Sequence, residues 1–134
     1  MIRKLDDTTF VSGQVTPAEI AQFKDEGVTL IINNRPDGED QGQPCSAEIE
    51  DAAVKAGIAY RHIPIVRGIG PADVELMRQA LESADGKVLA FCRSGTRSAL
   101  AWAVARRHQG ASVAQLEAAA ADAGVDIGPI AHLL

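Results

Sequence analysis

The sequence predicts an α/β domain with three layers, a mostly parallel central sheet flanked by helices. Three observations carry this expectation. Short β-branched and aliphatic runs recur at 28–33, 58–64 and 87–91. Stretches of ten or more residues with helix start and stop signals lie between them. That alternation implies βαβ crossovers, which place helices on both faces of a parallel sheet. No internal repeat or linker interrupts it, so 1–134 reads as one domain.

The elements follow in order. Phe10–Ser12 is a short strand. Thr16-Pro17-Ala18-Glu19 opens a helix, with Thr16 as N-cap, Pro17 at the first helical position and Glu19 closing a capping box. That helix runs to about Glu26 and stops at Gly27. Val28–Asn33 (VTLIIN) is a buried strand, and Arg35–Pro44 a polar loop rich in Gly and Pro. Ser46 caps a second helix ending at Gly57, and Ile58–Pro64 forms the next strand. A loop at Arg67–Gly70 precedes a third helix from Pro71 to about Ala84. Asp85-Gly86 turns the chain into a strand at Lys87–Phe91. Cys92–Arg97 is a loop, and Ser98–His108 a fourth helix ended by Gly110. A further helix spans about Val113–Ala123, and Asp126 caps a short final one.

Composition narrows the function. A chain of 134 residues buries roughly 68% of its unfolded surface, so it needs no metal or disulfide to fold. Aromatics make up only 4%, which leaves the core to Ala, Val, Ile and Leu. The net charge of −5 argues against general nucleic-acid binding, which needs a basic face. It leaves room for a small anion held by local donors. No apolar run approaches membrane-spanning length, and 1–10 lacks a signal-peptide pattern. The expectation is a cytoplasmic protein without a cofactor.

Chemistry concentrates in Val88–Ala99 (VLAFCRSGTRSA), where an apolar strand runs into Cys-Arg-Ser-Gly-Thr-Arg-Ser and a helix follows. Ligands of open α/β sheets bind beyond the carboxyl ends of the strands, and Cys92 is placed there. The backbone N–H groups of Arg93, Ser94, Gly95 and Thr96 form an anion nest, with Gly95 permitting the turn. The helix N-terminus aims its positive end at the same point. A thiol so placed loses its proton readily. Arg97 adds a planar fork for two oxygens, and Ser98 is placed to hydrogen-bond the sulfur. The arrangement suits nucleophilic catalysis. A cysteine after an apolar strand is often a small buried hydrophobe, but that leaves the fixed Cys, Gly and Arg offsets unexplained.

Cys-x-x-Gly-x-Arg-Ser resembles the active loop of rhodanese-type sulfurtransferases. It also resembles the phosphate loop of protein tyrosine and dual-specificity phosphatases, shortened by one residue and with Phe91 where that family has His. Val28–Arg35, Tyr60–Ile65 and Pro71–Ala84 are similar, in order, to dual-specificity phosphatase segments. Over essentially the whole chain the closest resemblance is to the bacterial phosphatase-like family related to the N-terminal domain of beta-lactamase hydrolase-like proteins. It is carried by Asn33–Glu39 (NNRPDGE), Ser46–Glu50 (SAEIE) and CRSGTRS. The resemblance implies a phosphatase-like fold and a Cys92 nucleophile acting on a small anionic or phosphorylated substrate. Two chemistries stay open: phosphomonoester hydrolysis, and sulfur transfer through a Cys92 persulfide. A binding module with little catalysis is a third.

The phosphatase pattern carries an Asp after the Ile-Pro strand, and Ile63–Arg67 has none. Asp37 is the candidate general acid. Asp73 is weaker, because the helix dipole already explains it; either also reads as a solvated carboxylate. Arg35 lies at the same sheet end or pairs with Asp37, Glu39 or Asp40. Cys45 is an incidental loop cysteine or a reversible disulfide partner of Cys92. His62, His108 and His132 have no metal-ligand spacing with the cysteines, so no metal is predicted. Trp102 falls at a core position, and Arg106, Arg107 and His108 suit the negative end of their helix.

Overall fold

The computed structural model describes residues 2–134. Its strands are β1 (Arg3–Lys4), β2 (Thr9–Ser12), β3 (Val28–Asn33), β4 (Ala59–His62) and β5 (Lys87–Phe91). Its helices are α1 (Pro17–Asp25), α2 (Ser46–Ala56), α3 (Pro71–Ser83), α4 (Thr96–His108) and α5 (Val113–Asp122), with a 3₁₀ turn at Gly128–Leu133. The sheet order is β1-β2-β5-β3-β4. Only the β1–β2 pair is antiparallel.

Alternation along the two central strands builds a core on each face. Leu30, Ile32, Val88 and Ala90 pack with Met77 of α3 and Trp102 of α4. Ile31, Leu89 and Phe91 pack with Ile20 and Phe23 of α1 and Ile49 of α2. Being covered on both sides, β3 and β5 carry continuous apolar runs rather than alternating polar positions.

Five features differ from the sequence expectation. The hairpin strand β1 has no apolar run to betray it. Its Arg3 pairs in register with Val11. Cys45, not Ser46, is the N-cap of α2, and Ser46 instead shares a 2.6 Å hydrogen bond with the Tyr60 hydroxyl. β4 stops at His62, two residues before Pro64. The chain still pairs loosely beyond, with Ile63 N donating to Asn33 O (2.8 Å) and Ile65 N to Asn34 O (3.0 Å). Helix α4 begins at Thr96 rather than Ser98, with Gly95 as its N-cap. Near the C-terminus, Ile127 holds the N-cap position, while Asp126 Oδ1 accepts from Gly128 N at 2.8 Å. Among the described residues no helix is long and apolar enough to cross a membrane.

β2, β5, β3 and β4 run parallel, so their carboxyl ends share one edge of the sheet. The segments leaving them (from Gly13, Cys92, Asn34 and Ile63) converge there. Asn34 N donates to Phe91 O at 2.8 Å and Cys92 N to Ser12 O at 3.3 Å, tying neighbouring strand ends together.

Candidate active site

Cys92 follows β5 directly and is only 1% exposed. Its Sγ accepts a hydrogen bond from Gly95 N at 3.1 Å. Gly95 makes this possible with φ +94°, a conformation L side chains rarely adopt. Space adds a lesser restriction: a Cβ there would stand 2.5 Å from the movable end of Arg3, at Nη2, and 3.3 Å from Ser12 O. Gly13 serves the same packing, because a Cβ on it would fall 2.9 Å from Arg93 O. The turn is closed by Ser94 Oγ, which donates to Thr96 Oγ1 at 3.3 Å.

Two opposing effects act on the Cys92 thiol. Burial pushes its pKa up. The amides of Ser98, Ser94 and Gly95 and the Ser98 hydroxyl favour the thiolate and bring the balance below the ordinary thiol value. Ser98 is fully buried, and its Oγ has no hydrogen-bond partner. That leaves the hydroxyl available to the sulfur.

Arg97 lies in the first turn of α4. Its Nη1 and Nη2 donate to Glu39 Oε2 and Oε1, both at 2.7 Å, and Nη1 also donates to Ile65 O at 2.9 Å. This is the bidentate fork a planar guanidinium makes with a two-oxygen anion. Glu39 also accepts from Arg35 Nε at 2.9 Å. Arg35 is only 4% exposed; it donates to Gln14 Oε1 at 3.0 Å and pairs with Asp40. Asp40 in turn lies 3.3 Å from Nε of the exposed Arg93. The Arg97 hydrogen bonds, with help from Arg35, hold Glu39 at a pKa of about 2 against some desolvation. Glu39 correspondingly raises the pKa of Arg97.

The loop residues Cys92–Thr96, with Arg97 and Ser98, therefore stand together. The two candidate acids have other engagements. Asp37 Oδ1 accepts from Ser46 N at 2.7 Å, at the start of α2, and Asp73 Oδ2 from Gly70 N at 2.9 Å, at the start of α3. Arg35 pairs with Glu39 and Asp40, not Asp37. Sequence reasoning missed that Glu39 reaches Arg97; the Arg35–Glu39 spacing of four was its only trace. Cys45 and Cys92 are free thiols, and Cys45 Sγ lies 3.3 Å from Glu48 Oε1. His62 Nε2 is 2.9 Å from Arg35 O. Trp102 is buried, and its Nε1 donates to Asp6 Oδ2. No group of three His, Cys, Asp or Glu among the described residues could hold a metal ion.

Comparison with known proteins places this geometry. Residues 1–111 match the family described as the phosphatase-like domain of beta-lactamase hydrolase-like protein. A beta-lactamase hydrolase-like protein of Xylella fastidiosa is 36% identical over 101 residues, covering 75% of this chain. The chain spans 23% of the length of that curated relative. A candidate phosphatase of Neisseria meningitidis is 38% identical, with a TM-score of 0.82 over 96% of this chain and 92% of its own. The protein tyrosine phosphatase-like structure PTPMT1 shares the fold at 20% identity, with a TM-score of 0.72 over 99% of this chain and 91% of that one. The sequence-expected fold, α/β and protein tyrosine/dual-specificity phosphatase-like, is the one found.

Proposed function

Because the chain belongs to the family of phosphatase-like domains of beta-lactamase hydrolase-like proteins, we propose that it is a cysteine-dependent hydrolase of phosphomonoesters with Cys92 as nucleophile. One observation carries the reading. Cys92 Sγ sits under the N-terminus of a 13-residue helix, accepts the Gly95 amide, and has the Arg97 fork one turn away. The thiolate attacks phosphorus, forming an S–P bond as the P–O bond to the leaving alkoxide breaks. The amides of 93–97 and the Arg97 fork meet the charge developing on the phosphoryl oxygens. Water then cleaves the S–P bond, releasing phosphate and restoring the thiolate.

Glu39 is ionised throughout the neutral range and supplies no proton to the leaving oxygen. Asp37 remains the candidate acid if its hold on the Ser46 amide opens. The substrate class is accordingly a small anionic phosphoester with a good leaving group.

The length of the loop favours a second reading. Only four residues separate Cys92 from Arg97, and the helix already starts at Thr96. A cradle this tight suits a sulfane sulfur. In that reaction the thiolate attacks the outer sulfur of thiosulfate, an S–S bond forms, and sulfite leaves. An acceptor thiolate or cyanide then takes the outer sulfur, and no general acid is needed.

Purified wild type and Cys92→Ser, assayed side by side with an aryl phosphate and with thiosulfate plus cyanide, test both. Phosphate release that depends on Cys92 supports the first reading. Thiocyanate alone replaces it with the second. Activity surviving in Cys92→Ser overturns Cys92 as nucleophile.

A further inference from the structure

Arg3 lies in β1, opposite Val11 and so one residue from the end of β2. Its guanidinium spans two distant carbonyls. Nη2 donates to Ser94 O at 2.9 Å, and Nη1 to Ala123 O at 2.8 Å, at the C-terminal end of α5. Neither contact is local: the partners are 91 and 120 residues away in sequence.

The Ser94 contact bears on the sulfur. Ser94 O and Gly95 N belong to one peptide unit, planar and with its C=O and N–H pointing in opposite directions. Arg3 holds the oxygen end of that unit, and Cys92 Sγ accepts from the nitrogen end at 3.1 Å. A cation on the carbonyl polarises the amide and strengthens its N–H as a donor. It also fixes the plane, so that the N–H keeps its aim. The empty side of Gly95 is filled by this same guanidinium, since a Cβ there would stand 2.5 Å from Nη2. The demand for glycine at 95 comes from its φ of +94°.

We propose that Arg3 is a positioning residue for Cys92, acting through the Ser94–Gly95 peptide to orient and polarise the amide that holds the sulfur. It touches neither the sulfur nor any group the substrate would meet. The other charged groups around the loop are accounted for: Arg97 and Arg35 are tied to Glu39, and Arg35 and Arg93 to Asp40. Arg3 is the cation applied to the loop from behind, through backbone. The inference rests on Cys92 being the reactive thiol, but not on which group it transfers.

The test is the pH dependence of iodoacetamide alkylation at Cys92, in a Cys45→Ala background so that one thiol reports. Arg3→Met removes charge and donors at similar length. The expected result is a rise of about half a pH unit in the alkylation midpoint, below the roughly one to three units of a cation in direct range, because Arg3 acts through the peptide. Arg3→Lys, which keeps the charge and one donor, should recover part of it. Where Arg3→Met does not fold, Arg3→Gln gives the same comparison with a neutral donor, with near-ultraviolet circular dichroism checking the fold. A folded variant with an unchanged midpoint and a lower Tm overturns the proposal, leaving Arg3 as a tie between hairpin and α5. A wild-type midpoint at the ordinary thiol value overturns both this proposal and the Cys92 reading. A lowered wild-type midpoint without turnover of either substrate leaves the positioning role standing and removes the proposed function alone.

Discussion

Glu39→Gln should tighten the binding of small oxyanions at the Cys92 loop. The change keeps the shape of the side chain and removes its charge. In the wild type the Glu39 carboxylate occupies the Arg97 fork as a phosphoryl or sulfonate group would, with both contacts at 2.7 Å. An incoming anion that uses the fork must displace it. The magnitude follows from the depression of Glu39 from 4.5 to about 2, which corresponds to about 3.4 kcal/mol at full strength. Glu39 is exposed and its side chain 28% accessible, so solvent and salt reduce this to about 0.5–1 kcal/mol. Arg35 supplies part of that figure and survives the exchange. The expected gain is therefore about twofold to fivefold in affinity. Protection of Cys92 from iodoacetamide by inorganic phosphate or sulfate measures it at low ionic strength. The gain should shrink as salt is added. A carboxyl group held low contributes its pairing fully above 4.5 and loses it only as pH falls through about 2, so the difference between variants should be flat across pH 6–8. Weaker anion binding in Glu39→Gln would refute the reasoning, because it would make Glu39 a brace that aims Arg97.

Gly95→Ala should lower stability by about 1–3 kcal/mol, since φ +94° is hostile to a side chain and a Cβ would stand 3.3 Å from the backbone oxygen of Ser12; an unchanged Tm would contradict that. The same variant should slow Cys92 alkylation at neutral pH, because the Gly95 amide loses its aim. Asp6→Asn should cost about 2 kcal/mol at pH 7, since Asp6 Oδ2 accepts from both Trp102 Nε1 (2.9 Å) and Arg106 Nε (3.1 Å). Burial raises the pKa of Asp6, but bonds from Thr8 and Trp102 and the charge of Arg106 outweigh it and leave it lowered. Its contribution is therefore present above the ordinary carboxylate range and lost in acid. Urea midpoints of the two proteins should converge on going from pH 7 to pH 3, and a constant gap would sink this account.

The strands β3 and β5 were legible in the sequence because their apolar runs are uninterrupted, and both match the predicted bounds residue for residue. Helices opened by Pro17 and Pro71 were legible for a similar reason: proline at the first position is a local signal. What failed to show was non-local. Ser46 has the chemistry of a cap, but Asp37 reaches across the loop to take its amide, which leaves Cys45 in the N-cap position. The start of α4 was misplaced because Gly95 acts as an N-cap with no side chain to announce it. In the site, Cys92, Gly95, Arg97 and Ser98 lie within one short segment and were legible together. The Glu39–Arg97 fork joins residues 58 apart, and the Arg3–Ser94 bond joins residues 91 apart. Only a fold that gathers the strand ends of β2, β5 and β3 brings such pairs into reach.

The order β1-β2-β5-β3-β4 has a colloidal consequence. It leaves β1 and β4 at the borders of the sheet, and both are poor templates for another chain. One offers two residues, Arg3 and Lys4; the other offers four, including Arg61 and His62, and runs into Pro64. Short, cationic borders with a proline alongside are how β-proteins deter edge-to-edge pairing. The long hydrophobic strands that would seed cross-β aggregates, β3 and β5, lie inside the sheet, between β2 and β4. Concentrated samples should accordingly resist fibril growth for as long as the borders stay folded.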